Sequence, residues 1–168
     1  MCHLKYKNLS YGMTVSYEVV TEAAGYAVAQ DLFREYAMDI GVDLSFQGFE
    51  EELGAIAAQY GPPSGGLVLS LVDDAAAGCV GVRRLQDGVA ELKRMYVRPA
   101  YRGYGLGVGL LQEALRVARS LGYRTIRLDT LATMTGAQAL YRRFGFYAIP
   151  AYRFNPLEGA VYMEMRLA

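Results

Sequence analysis

Four glycines at alternate positions, Gly103, Gly105, Gly107 and Gly109, stand where a run with strand character gives way to one with helical character. Each costs about 0.5–1 kcal/mol relative to alanine at the start of a helix. What such a turn offers in return is close approach. Amides without Cβ shielding, at the positive end of a helix, form a cradle for phosphate or pyrophosphate. Arg102, immediately before them, is placed to add a charge-assisted contact. Two nucleotide-binding spacings fail here. Gly-x-Gly-x-x-Gly meets Val108 when started at Gly103 and Leu110 when started at Gly105, and no Gly-Lys-Ser/Thr follows to make a P-loop. A phosphate cradle of another kind remains, beside the plainer alternative of a flexible turn with no ligand.

Two carboxylates upstream and downstream of this turn have the chemistry of a proton acceptor. Glu91 falls within the run 89–97 (VAELKRMYV), and strict alternation puts it on one face with Lys93, Met95 and Val97. A carboxylate buried in a central strand has a raised pKa, which suits a general base; the structural alternative is an ion pair with Lys93 or Arg94. Asp129 ends the run 125–129 (TIRLD), and the carboxyl ends of parallel strands are where open sheets place ligands. Its alternative is an Asx cap on the following loop or helix.

The elements that must position these groups are legible from periodicity. Residues 13–20 alternate as a first strand, and 24–40 form an amphipathic helix closed by Gly41. A second helix is predicted over 46–60, stopped by Gly61-Pro62-Pro63. Strands 67–72 and 78–86 flank the turn-forming Asp73-Asp74, and Asp87-Gly88 is a hairpin signal leading into 89–97. A helix over 105–121 closed by Gly122, strand 125–129, a helix at about 134–144, and strands near 146–153 and 160–167 complete the chain. Strand–helix–strand through 89–129 implies a right-handed crossover and a parallel pair. The class is α/β (α+β by some schemes), in a single domain over residues 1–168.

The bulk composition removes several functions. With 17 basic and 17 acidic side chains in 168 residues, the formal charge is zero, so nucleic acid and anionic membrane have no general electrostatic pull. Two cysteines, Cys2 and Cys79, and one histidine, His3, argue against a disulfide framework, a metal site or a Ser-His-Asp triad. No apolar run has the length of a signal peptide or a membrane span, so the expected address is the cytoplasm.

Val97-Arg98-Pro99 followed by Arg102-Gly103-Tyr104-Gly105-Leu106-Gly107 resembles the Arg/Gln-x-x-Gly-x-Gly/Ala signature of the GNAT superfamily of N-acetyltransferases. Ala139-Leu140-Tyr141-Arg142-Arg143-Phe144-Gly145-Phe146 resembles that family's Leu-Tyr-x-x-x-Gly-Phe block, and the element order over 13–167 fits its fold. The resemblance implies a mixed, mostly antiparallel sheet with a central splayed parallel pair, 89–97 with 125–129, flanked by helices. It also implies acetyl-CoA as cosubstrate and no metal. The amides of Gly103, Tyr104, Gly105, Leu106 and Gly107, with Arg102, would hold the pyrophosphate. The backbone of Met95, Tyr96 and Val97 would pair with the pantetheine arm. Many members carry Asn ahead of the last helix, where this chain has Thr133-Met134-Thr135-Gly136; that leaves the coenzyme contact to Thr133 or Thr135.

By the same resemblance Tyr141 protonates the departing thiolate, the alternative being a core tyrosine with its hydroxyl bonded. Members of the family place a base glutamate at the strand position of Glu91. Others place one twelve residues before the motif tyrosine, which is the spacing from Asp129 to Tyr141. The acceptor would enter between residues 41–49, with Phe46 and Gln47, and residues 147–159, with Tyr152 and Asn155. Glu50-Glu51-Glu52 reads as a solvated helix start, and Cys79 as core. The implied activity is acetyl transfer from acetyl-CoA to a primary amine of a small molecule, amino acid or peptide, by direct attack in a ternary complex; a homodimer is allowed. The competing reading is a non-catalytic acyl-CoA-binding or sensing module.

Overall fold

A computed structural model describes residues 4–7 and 12–168; Cys2 and His3 lie outside them. The order is β1 (Leu4–Lys7), β2 (Thr14–Val19), α1 (Ala23–Ile40), α2 (Phe49–Gly54), α3 (Ile56–Tyr60), β3 (Gly66–Val72), β4 (Ala75–Gln86) and β5 (Val89–Val97). Then follow α4 (Leu106–Ser120), β6 (Thr125–Leu131), α5 (Thr135–Phe144), β7 (Tyr147–Ile149) and β8 (Ala160–Arg166). The strands form one eight-stranded sheet, ordered β1-β2-β3-β4-β5-β6-β8-β7. Neighbours are antiparallel except β5 and β6, which run parallel across α4. This is the mixed sheet with a central parallel pair that the sequence predicts.

Two short turns fix the antiparallel part. Asp73 and Asp74 join β3 to β4, both with positive φ (47° and 66°), the backbone a tight two-residue hairpin demands. Asp87-Gly88 joins β4 to β5, with Gly88 at φ 69°. One face of the sheet packs on α4 and α5 through Val80, Leu92, Leu110, Leu111, Leu128 and Met163. The other packs on α1 to α3 through Leu32, Phe33, Tyr60, Leu67, Cys79 and Tyr96. Cys79 is buried as expected, its thiol pushed up by burial.

Three expectations are corrected. The continuous helix over 46–60 is broken into a 3-10 turn at Ser45–Gln47, α2 and α3, because Gly48 is left-handed (φ 66°) and the α2–α3 joint falls at Ala55 (φ −113°). The break turns Glu52 inward. Glu50 and Glu51 are exposed, but Glu52 lies buried between Arg94 (2.6 and 3.1 Å) and the Tyr60 hydroxyl (2.5 Å). The strand near 146–153 ends at Ile149, where Pro150 has no N–H to continue a ladder.

The third correction concerns alternation along β5. Tyr96 pairs with Cys79 but Lys93 pairs with Gly81, so two residues of β5, Arg94 and Met95, oppose Val80 alone. This is a β-bulge, and Arg94 carries the cost as a non-glycine residue at φ 55°. Beyond it the faces exchange. Lys93 and Arg94 point toward Gln47 and Glu52, whereas Met95 and Val97 pack with Leu92 on the α4 side. Glu91 and Lys93 therefore do not share a face with Met95 and Val97.

Candidate active site

The parallel ladder between β5 and β6 is short. It pairs Val89 with Thr125, Ala90 with Ile126 and Glu91 with Arg127, and then it stops. From Leu92 to Val97 the side of β5 that faced β6 has no partner strand, so the two strands splay into a wedge, as twist in a short parallel pair favours. The wedge contains a small cavity of about 50 Å³, lined among others by Lys93 and Met95 from β5, Asp129 from β6, Tyr141 from α5, Gln47 and Asn155. These residues span positions 47 to 155 of the chain. Lys93 enters this space from the face toward α1 to α3, and the bulge at Arg94 puts Met95 beyond it on the other face.

At the open end of β5 the chain turns through a 3-10 segment, Pro99–Tyr101, into α4. Gly103 and Gly105 both take left-handed φ (84° and 82°), and a Cβ on either would meet only open space. Gly105 caps α4 with no side-chain hydrogen bond, so the first amides of that helix face outward without a capping acceptor. Gly107 is nearly as open. Gly109 has a different reason: a Cβ there would collide with the Tyr17 ring, so it lets α4 lie close on β2. Arg102 is directed backward, donating to the Val97 carbonyl (2.9 Å) and to Asp39 (2.7 Å) and lying over the Tyr96 ring.

The ionisable groups of the wedge are sparsely partnered. Asp129, with a side chain only 7% exposed, accepts one hydrogen bond, from Asn155 Nδ2 at 3.2 Å. Lys93 Nζ donates to Gln47 Oε1 at 3.1 Å and stands 3.8 Å from Asp129 Oδ1. Burial, with the Arg94 guanidinium alongside, pushes the Lys93 ammonium down to about 8, against the pull of Glu91 and Asp129. Tyr141 is buried against Phe146, and its hydroxyl makes no hydrogen bond to a described residue. Burial, reinforced by Tyr36 and Asp129, raises its phenol well above the usual tyrosine value, so it stays protonated at neutral pH.

The site is thus a short strand ladder that opens into a wedge, closed at one end by an uncapped, glycine-lined helix start. The family model described as the acetyltransferase (GNAT) family matches residues 25–146. The chain belongs to the GNAT acetyltransferases. An uncharacterized N-acetyltransferase of Schizosaccharomyces pombe is 40% identical over 139 residues, covering 82% of this chain and 85% of that protein. A GNAT-family acetyltransferase structure from Staphylococcus aureus superposes with a TM-score of 0.73 over 90% of this chain and 99% of its own, at 21% identity. A Bacillus anthracis acetyltransferase solved in complex with acetyl coenzyme A matches 62% of this chain and 63% of its own, with a TM-score of 0.55 and 20% identity. At those identities the two structures speak for the fold. The acyltransferase reading stands on the family, and the non-catalytic alternative gives way to it.

Within this acetyltransferase the predicted site residues separate into two groups. Asp129, Tyr141, Met95, Gln47 and Asn155 line the wedge, and Tyr96 and Val97 complete the free length of β5. Tyr104 and Thr133 lie along the turns that precede α4 and α5, and Leu106 opens α4; Leu106 is buried and Thr133 exposed. Asp129 is inside β6 and caps nothing, contrary to the Asx alternative.

Glu91 and Tyr152 belong elsewhere. The Glu91 carboxylate is fully buried and takes Arg83 Nε (3.0 Å) on one oxygen, with Arg153 Nη2 (2.6 Å) and the Tyr152 hydroxyl (3.0 Å) on the other. Its pairing partners are therefore not Lys93 or Arg94: Arg94 is held by Glu52. Phe46 packs at the margin of the α1–α3 core. The residue that sequence reasoning passed over is Lys93. A lysine in the middle of a central strand, two residues after a glutamate on the same face, is the signal that could have found it.

No helix among the described residues is long and apolar enough to cross a membrane, and no three of their His, Cys, Asp and Glu side chains converge on a metal-sized site.

Proposed function

We propose that this acetyltransferase moves the acetyl group of acetyl-CoA to a primary amine by direct attack in a ternary complex, with Asp129 as general base and Tyr141 as general acid. The observation that carries the reading is the convergence of Asp129 and Tyr141 on the wedge between β5 and β6. The backbone of Met95 to Val97 would hold the pantetheine arm as an added strand, since no strand pairs with it on the wedge side, where Arg102 alone reaches the Val97 carbonyl. The uncapped amides of 103–107 would receive the pyrophosphate, whose oxygens fit the open space at Gly103 and Gly105. Arg102, tied to Asp39, would fix the turn and lend it positive charge.

Bound acetyl-CoA supplies an activated thioester carbonyl. Asp129 takes the proton that the amine loses as its nitrogen forms the new C–N bond. A backbone N–H of the free stretch of β5 donates to the carbonyl oxygen as negative charge builds there. As the C–S bond breaks, Tyr141 gives its hydroxyl proton to the sulfur. Two features favour Asp129 over Glu91 for the base. Asp129 has acceptor positions open to the cavity, and the Glu91 lone pairs are committed to two guanidiniums and a phenol. The cytoplasm is the compartment this reading proposes for the reaction.

The test is a coenzyme A release assay against amino acids, polyamines, aminoglycosides and N-terminal peptides, together with calorimetry of acetyl-CoA binding. Asp129→Asn and Tyr141→Phe should bind acetyl-CoA as the wild type does and lose turnover. Acetyl-CoA binding without release from any amine would sink the reading.

A further inference from the structure

The wedge holds a buried cation and a buried anion that do not complete one another. Lys93 Nζ and Asp129 Oδ1 are 3.8 Å apart, too far for a hydrogen bond, and their side chains are 3% and 7% exposed. An ammonium has three protons to donate, and Lys93 places one, on Gln47. A carboxylate has about four acceptor positions, and Asp129 fills one, with Asn155. Two other buried carboxylates among the described residues are held by arginines at hydrogen-bond distance. Arg94–Glu52 is bidentate at 2.6 and 3.1 Å, and Glu91 is held by Arg83 and Arg153 at 3.0 and 2.6 Å. Burying opposite charges without closing them loses solvation and gains little attraction in return. The arrangement makes physical sense when a third party completes it.

The complement of an open cation beside an open anion is a molecule that carries both charges a few atoms apart. Resting on Asp129 as the base, we infer that the acceptor is an amino acid taken as its zwitterion, with its carboxylate on Lys93 and its amine on Asp129. Gln47 steadies the Lys93 ammonium through Oε1 and leaves the remaining protons for a carboxylate. Asn155 fixes the Asp129 plane in the same way. An uncharged or purely cationic amine satisfies Asp129 alone and leaves Lys93 buried without a partner, which is a penalty on binding. The ammonium loses two protons on the way to the amide: Asp129 passes the first to solvent, which frees the lone pair, and takes the second as the C–N bond forms, so the product keeps its hold on Lys93 and loses its hold on Asp129. That asymmetry favours release.

The experiment compares each amino acid in a panel with its own α-amide and its decarboxylated amine, which keep the side chain and amine and lose the carboxylate. Coenzyme A release gives kcat and KM. Calorimetry of the same ligands on protein saturated with coenzyme A gives binding without turnover. The wild type should prefer the amino acid to its neutral matches by about a hundredfold in kcat/KM, mostly through KM, and show the same order in calorimetry. Lys93→Met should bring that ratio close to one, and Lys93→Arg should restore part of it. Equal use of amino acid and amide by the wild type, or an equal loss for both in Lys93→Met, overturns the inference and leaves the acetyltransferase reading standing. Bound acetyl-CoA with no release from any ligand removes that reading and this inference with it.

Discussion

Glu91 and Asp129 stand on neighbouring strands, β5 and β6, on the side of the sheet that faces α1 to α3, and their surroundings are opposite. Glu91 is closed by Arg83, Arg153 and Tyr152, groups from β4 and from the loop after β7, and so it pins that loop to the sheet. Asp129 has one hydrogen bond and one distant lysine, and it borders the cavity. A carboxylate gripped by three donors holds structure together, and one with most of its lone pairs open to a wedge is available to a ligand. Burial alone does not tell the two apart; saturation does.

Exchanging each carboxylate for its amide is the strongest way to break the comparison. Asp129→Asn should cut kcat by about 10²–10⁴, the range of a lost general base, and leave the melting temperature within a few degrees. Glu91→Gln should do the reverse. It leaves two arginines beside a neutral amide and should destabilise the fold by about 3 kcal/mol, or roughly 10 °C in melting temperature. Turnover per folded molecule should change only a few-fold. Thermal denaturation and steady-state kinetics on the same samples decide it. A stable, inactive Glu91→Gln would reverse the assignment.

The two sites also differ in how far the sequence reveals them. The glycine turn, both two-residue hairpins and the Leu140-Tyr141 helix are local features, set by residues within a few positions of one another, and the structure has a turn or a helix at each of those places. The closure of Glu91 is not local. Arg83 is eight residues away and Arg153 is sixty-two, and nothing in VAELKRMYV points to either. The bulge at Arg94 is hidden for another reason. No glycine or proline marks it, because the bidentate hold of Glu52 and the rings of Tyr36 and Phe49 sustain the unfavourable φ through tertiary contacts. Without the bulge, alternation merges the Lys93 and Met95 faces and obscures which side chains enter the wedge.

The Tyr141 hydroxyl sharpens the comparison from the other side of the cavity. Like Asp129 it is buried and lacks a closing partner, and burial holds its proton firmly. Tyr141→Phe keeps the ring contact with Phe146 and removes only the donor. It should lower kcat by about a hundredfold, within the range for a lost general acid, with acetyl-CoA affinity unchanged by calorimetry. A loss of affinity in place of kcat would make the tyrosine a packing residue of the same kind as Tyr152.

The smallest effect expected is in pH dependence, and it tests the open pair directly. Lys93 is charged below about 8 and neutral above it, because burial and Arg94 outweigh the opposing pull of Glu91 and Asp129. The groups facing it are Arg94, Glu91, Asp129 and Arg153 by charge and Gln47 by hydrogen bond. Its grip on a carboxylate is therefore present below pH 8 and lost as pH rises through that value. Because kcat/KM reports the free enzyme, the advantage of an amino acid over its decarboxylated amine should fall about tenfold between pH 7 and pH 9. The acceptor's own amine titrates in the same range, so the profile is read as the ratio of wild type to Lys93→Met at each pH, in which that titration cancels. A ratio that stays flat across pH 8 would mean that the Lys93 charge plays no part in choosing the acceptor, and Asp129 would then stand in the wedge without a counterpart.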